Sequence, residues 1–200
     1  MRPALLVLAL LAAVTVVLGL MLTRGGETAD FRGSEPPDGL MMPAFAVGAG
    51  NGARVSSDDL RGRAVAITFL DTQCREACPV IAAHMAQALR AIDGDERKRV
   101  VALAITVDPN GDTPERIEAF LRRYRALDLI RYVDGSVAEL RPVWDSFDVL
   151  ASHDTGKSNM HSAPVRVYDP EGRWRSTLHA GVDLTAPNLA HDLRTALSAT

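Results

Sequence analysis

Ala64-Val65-Ala66-Ile67-Thr68-Phe69-Leu70, followed after Asp71 by Thr72-Gln73-Cys74-Arg75-Glu76-Ala77-Cys78-Pro79, is the run on which the fold turns. The first seven residues are apolar without polar alternation, the mark of a strand covered on both faces. The second stretch holds the chain's only two cysteines, four positions apart. A helix is expected from Pro79 to about Ile92, with Ile81, Met85, Ala88, Leu89 and Ile92 at helical spacing. Proline suits a first helical position, since its missing N–H has no partner there and its φ is preset. Cys78 then falls at the helix cap and Cys74 in the loop before it. Unpaired amides and the helix dipole at that end favour thiolate over thiol at both.

Working outward, the same alternation of strand and helix continues. Phe45–Val47 and Ala53–Val55 flank the glycine-rich stretch Gly48-Ala49-Gly50-Asn51-Gly52 as a hairpin, and Ser56–Gly62 supplies one short helical turn. Val100–Val107 reads as a second buried strand, and Asp112-Thr113-Pro114 caps a helix to about Leu127. Leu129–Val133 is a short strand, and Ser136 starts a helix that Pro142 bends or shortens. Polar residues 149–160 form a loop; Pro164–Tyr168 and Arg173–His179 form a hairpin around Asp169-Pro170-Glu171-Gly172; Thr185–Ser198 closes the chain as a helix. This order implies an α/β domain with helices on both faces of a sheet. Right-handed crossovers put the cysteine loop at the carboxyl end of a central strand, where such folds bind ligands.

Ahead of that domain, Ala4–Leu22 carries no charge and is apolar except for Thr15 and Gly19, long enough to cross a bilayer. Residues 1–24 are therefore expected to be a transmembrane signal-anchor, residues 25–41 a Gly/Glu/Asp/Ser/Pro-rich linker, and residues 42–200 the working domain. Arg2 and the amino terminus precede the span, so the domain is expected outside the cell membrane on a single pass. A signal peptide cleaved near Val17-Leu18-Gly19 is the rival, disfavoured because the apolar run continues to Leu22. A net charge of −3 over 200 residues, without a basic run, makes no case for nucleic acid.

Two thiolates are soft donors that select Cu(I), Zn(II) or iron–sulfur chemistry over hard cations. A four-thiolate site is impossible within one chain. The same pair can close a small, reducible disulfide ring, so thiol–disulfide exchange stands beside metal binding. The bland alternative is a pair of buried, inert thiols. A peroxidase reading is weak, because Thr72 stands only two residues before Cys74 and no proline precedes it in the loop.

Several motifs occur together in one order: Pro43-x-Phe45, Ser57-Asp58-Asp59-Leu60-Arg61-Gly62, Phe69 before Cys74-x-x-x-Cys78-Pro79, Val107-Asp108-Pro109 with Asp112-Thr113-Pro114, and His161-Ser162 before Tyr168-Asp169-Pro170-Glu171-Gly172. Over residues 42–199 the chain resembles the Sco/SenC family. That resemblance implies a thioredoxin-like fold on a membrane anchor. It also implies copper, as Cu(I) or Cu(II), held by Cys74, Cys78 and His161, with Asp108 a nearby acid. The implied partners are cytochrome c oxidase subunit II, whose binuclear copper site such proteins help assemble, and a copper donor protein. Two departures stand out. Asp71 replaces a familiar aromatic, and Arg75 stands where proline is common. The alternative function is a thiol–disulfide oxidoreductase using Cys74 and Cys78 on a partner's cysteines. His161 owes its ligand role to the resemblance; His153 is a solvated loop residue or an auxiliary ligand. His84 reads as packed or surface, and His179 and His191 carry no signal. Met41, Met42 and Met160 are thioethers better explained as packing.

Overall fold

A computed structural model describes residues 30–48, 54–150 and 164–199. The expected anchor over 1–24, the hairpin turn, His153, Met160 and His161 lie outside the described residues. Among the described residues no helix is long and apolar enough to cross a membrane.

Among the described residues seven strands, five α-helices and one short 3-10 turn (Asp58–Leu60) follow one another. The strands are β1 (Ala46–Gly48), β2 (Arg54–Ser56), β3 (Ala64–Leu70), β4 (Val100–Thr106), β5 (Ile130–Val133), β6 (Val165–Tyr168) and β7 (Trp174–Leu178). The helices are α1 (Ala77–Arg90), α2 (Gly94–Lys98), α3 (Pro114–Arg123), α4 (Val137–Ser146) and α5 (Ala186–Ser198). Strands β1 and β2 form a separate antiparallel hairpin. The main sheet runs β5-β4-β3-β6-β7, with β3, β4 and β5 parallel and β6 and β7 antiparallel additions. Every residue of β3 is buried, as its unbroken apolar run predicts for a central strand.

Alternation along the strands divides the core into two layers. On one face Val65, Ile67 and Phe69 of β3 and Leu103 and Ile105 of β4 pack with Leu140, Val143 and Trp144 of α4 and with Val47 and Val55 of the hairpin. Phe147 meets Phe69 and Phe45 edge-on, with ring centres 5.3 and 5.9 Å apart, beneath the end of β3. On the other face the strands present Ala64, Ala66, Ala102 and Ala104, small enough for α1 and α5 to lie close. The arrangement is a mixed α/β, thioredoxin-like fold, its central sheet flanked by helices.

Three local readings change. Helix α1 begins at Ala77, two residues before Pro79, which places proline in the third helical position; its N–H would still have lacked a partner there. Within Asp112-Thr113-Pro114 it is Thr113 that caps α3, its hydroxyl accepting from the Arg116 amide, and the helix ends at Arg123 and not near Leu127. Helix α4 keeps Pro142 inside ten residues and gains a full capping box from Ser136 and Glu139.

The segment expected to be the end of a linker lies on the domain from Phe31 onward. Phe31 is buried, and the Arg32 and Gly33 amides donate to the buried Asp192 carboxylate at 2.7 and 3.0 Å. Ser34 bridges to Thr177 and Met41 to Arg173, so this arm runs along β7 and covers an edge that would otherwise offer unpaired backbone groups.

Candidate metal centre

The loop that carries the cysteines leaves β3 at Leu70, whose carbonyl accepts from the Val107 amide at 3.0 Å, one step past the β3–β4 ladder. Asp71, fully buried, turns the chain: its Oδ1 accepts from the Gln73 amide at 2.6 Å and its carbonyl from the Cys74 amide at 3.2 Å. Its Oδ2 is buried with no hydrogen-bond partner among the described residues. Burial pushes the Asp71 carboxyl up to about 6, and the charges of Asp112, Asp108 and Cys74 add to this against the Gln73 hydrogen bond.

Both cysteines are buried thiols, not joined in a disulfide. No side chain of Glu76 caps α1; instead the Cys78 amide, one of the helix's unpaired donors, points at the Cys74 sulfur at 3.5 Å. The sulfur of one cysteine thus closes the first turn of the helix that carries the other. The expectation of a thiolate at both positions fails at Cys78. A hydrogen bond to Cys74, made only by the protonated form, and burial push the Cys78 thiol well above its usual range. The helix end does not outweigh them.

A second layer fixes the loop from below. Asp112, 2 % exposed, accepts from the Thr72 amide at 2.9 Å, the Thr72 hydroxyl at 2.6 Å, the Thr106 hydroxyl at 2.6 Å and the Tyr132 hydroxyl at 2.7 Å. It joins the cysteine loop to β4 and β5. Burial, with the Asp112 charge, holds the Tyr132 phenol protonated far above its ordinary range. Asp108 is a turn residue that also touches the loop, accepting from the Gly111 amide at 3.1 Å and the Gln73 side chain at 2.9 Å. A Cβ on Gly111 would fall on Asp108 Oδ2 and Gln73 Nε2, so only glycine lets this contact form.

Strand β6 runs antiparallel to β3, Arg166 opposite Ile67, so its first residues lie at the end of the sheet where the cysteine loop begins. Among the described residues no group of three or more His, Cys, Asp and Glu is gathered to hold a metal ion. Of the other candidates, His84 sits on α1 with a buried Nδ1 that has no hydrogen-bond partner among the described residues, His179 is exposed near Asp183, and Met41 is 48 % exposed beside Arg173.

The Asp112 hub was not legible as such in the sequence, where Asp-Thr-Pro reads as a cap; its partners Thr72, Thr106 and Tyr132 are remote in the chain. The one usable signal was polar residues at both strand ends beside the cysteines.

Residues 34–198 match the profile of the family described as SCO1/SenC. An SCO2-like protein of Rickettsia typhi is 25% identical over 150 residues, covering 72% of this chain and 71% of the relative. A putative copper-binding protein of Stutzerimonas stutzeri is 26% identical over 133 residues, 64% of each chain. Among solved structures, Bradyrhizobium japonicum ScoI with copper bound superposes with a TM-score of 0.65 at 27% identity, covering 79% of this chain and all of the other.

Proposed function

We propose, from the premise that this chain belongs to the SCO1/SenC family, that it is a copper metallochaperone serving the assembly of cytochrome c oxidase. Copper is its cargo. The observation that carries the reading is the contact between the Cys78 amide and the Cys74 sulfur at the end of β3. In its support, one soft donor lies on a hydrogen-bonded loop and the other in the first turn of the helix that follows it, a pair that suits Cu(I). Cys74 and Cys78 supply the thiolates, and loading the ion displaces the proton that Cys78 holds in the metal-free state. His161 supplies the imidazole. In its support, His161 precedes Pro164 by three residues, and β6 starts at the sheet end from which the cysteine loop springs.

The client is the binuclear copper site of oxidase subunit II, and a donor protein supplies the copper. Residues 1–24 hold the chain in the cell membrane with the domain on the extracytoplasmic side.

The test is anaerobic titration of the reduced full chain in detergent with Cu(I) against a competing chelator. One copper per chain is expected, lost in Cys74→Ser and in Cys78→Ser and strongly weakened in His161→Ala. The same sulfur contact also favours a second reading, thiol–disulfide exchange with a partner. No copper binding together with rapid disulfide exchange decides for it.

A further inference from the structure

Beside Cys74 the surface opens into a furrow of about 810 Å³ between the cysteine loop and helix α3. Its floor is aromatic: Phe120, 6 % exposed, meets Tyr124 edge-on with ring centres 4.9 Å apart. Its walls are lined by three arginines, Arg75, Arg116 and Arg123, and among the described residues no carboxylate lines it. In a chain whose net charge is −3, this is a local reversal of sign.

None of the three arginines is paired with a carboxylate among the described residues. Arg116 gives one N–H to the Gly111 carbonyl at 2.9 Å, which holds it in place and leaves the rest of its fork to the furrow. Arg123 lies over the Tyr124 ring at 6.0 Å, and neither it nor Arg75 has an ion pair among the described residues. By contrast Arg122, on the same helix but outside the furrow, is paired with Glu118. The furrow is far larger than a bare ion requires, lies within the range of organic ligand sites, and is open along its length.

We propose that this furrow docks an acidic peptide segment of the protein that exchanges copper with Cys74: carboxylates on Arg75, Arg116 and Arg123, an apolar side chain on Phe120 and Tyr124, and the partner's thiol brought to the Cys74 end. The proposal rests on the copper-carrier reading of the cysteines. Guanidinium forks bind carboxylates in paired, charge-assisted hydrogen bonds. Opposed charge around a transfer site speeds encounter and fixes register more than it adds affinity, which suits a partner that must leave again.

The probe is a labelled twelve-residue peptide with two aspartates on each side of a serine that stands in for its thiol, read by fluorescence anisotropy on the full chain in detergent. A twin peptide carries lysine for aspartate. Binding of the acidic peptide alone is expected, weakening with salt. Arg123→Glu is expected to lower its affinity at least about tenfold, whereas Arg122→Glu, an equal charge change outside the furrow, leaves it within about twofold. Arg116→Lys, which keeps the charge and loses the fork, falls between. Chelator competition for Cu(I), run on the same variants, stays at the wild-type value, which separates this proposal from the cysteine reading. Equal binding of acidic and basic peptides, or equal losses in Arg122→Glu and Arg123→Glu, overturns it. So does a matching loss of copper affinity in Arg123→Glu. Competition by glutathione at the peptide's own affinity assigns the furrow to a small anionic thiol and also overturns it.

Discussion

The carboxylate of Asp112 accepts a hydrogen bond from the Thr72 hydroxyl at 2.6 Å across forty residues of chain, and a second from the Thr72 amide. Through this pair the loop that bears the cysteines is fastened to the polar ends of β4 and β5, not only to the strand it leaves.

Replacing Asp112 therefore loosens the loop as well as the core. Asp112→Ala strands three hydroxyl donors and an amide in a buried site and is expected to cost about 3 kcal/mol of stability, Thr72→Val about 1 kcal/mol. The two losses are expected to add up to more than the double variant shows, since they share one contact. Urea unfolding of the four proteins measures this, and strict additivity contradicts it.

Asp71 gives a pH dependence of unusual sign for a carboxyl. Its folded-state value is raised to about 6, so between about pH 4 and pH 6 the native protein holds a proton that the unfolded chain has released. Stability from this group is full below about pH 4, falls as pH rises to about 6, and is level above. Asp71→Asn is expected to be more stable than wild type at pH 7, by about 1–3 kcal/mol, and to lose that part of the slope. Melting temperatures from pH 4 to 7.5 check it; an unchanged slope in the variant rules out Asp71 as its source.

Gly111 is tested by one methyl group. Gly111→Ala pushes apart Asp108 and Gln73 and is expected to cost about 1 kcal/mol, a small sum because the displaced atoms end flexible side chains. With Gln73→Ala already present the added cost shrinks, because one of the two neighbours to be displaced is gone and Asp108 is free to move into its place. An undiminished cost in that background points to backbone strain at position 111 instead.

Asp192 holds the amides of Arg32 and Gly33 and the Ser176 hydroxyl. Asp192→Ala is expected to lower stability by about 2–4 kcal/mol and to expose residues 31–42 to proteolysis before the rest of the domain. Cleavage kinetics there, compared with wild type, decide it.

What the sequence disclosed depended on how local the cause was. β3 and β4 were readable because burial on both faces needs an unbroken apolar run, and α1 and α5 because one apolar stripe recurs at helical spacing. Helix α2 escaped because Gly94–Lys98 buries nothing and has no stripe to read. The arm from Phe31 escaped because its composition is that of a spacer, while its partners Asp192 and Thr177 lie at the other end of the chain. At the cysteines, spacing and position were legible. The protonation of Cys78 was not, since the neighbouring sulfur and the surrounding burial exist only in the folded state.

The clasp at Asp192 also decides where mechanical load enters the domain. A pull on the chain ahead of Phe31 meets Asp192 and the flank of β7 first, and β6 separates β7 from β3. Tension arriving there is carried in shear along the outermost strand. The cysteine loop, rooted in the middle of the sheet, is insulated from a pull applied at Phe31.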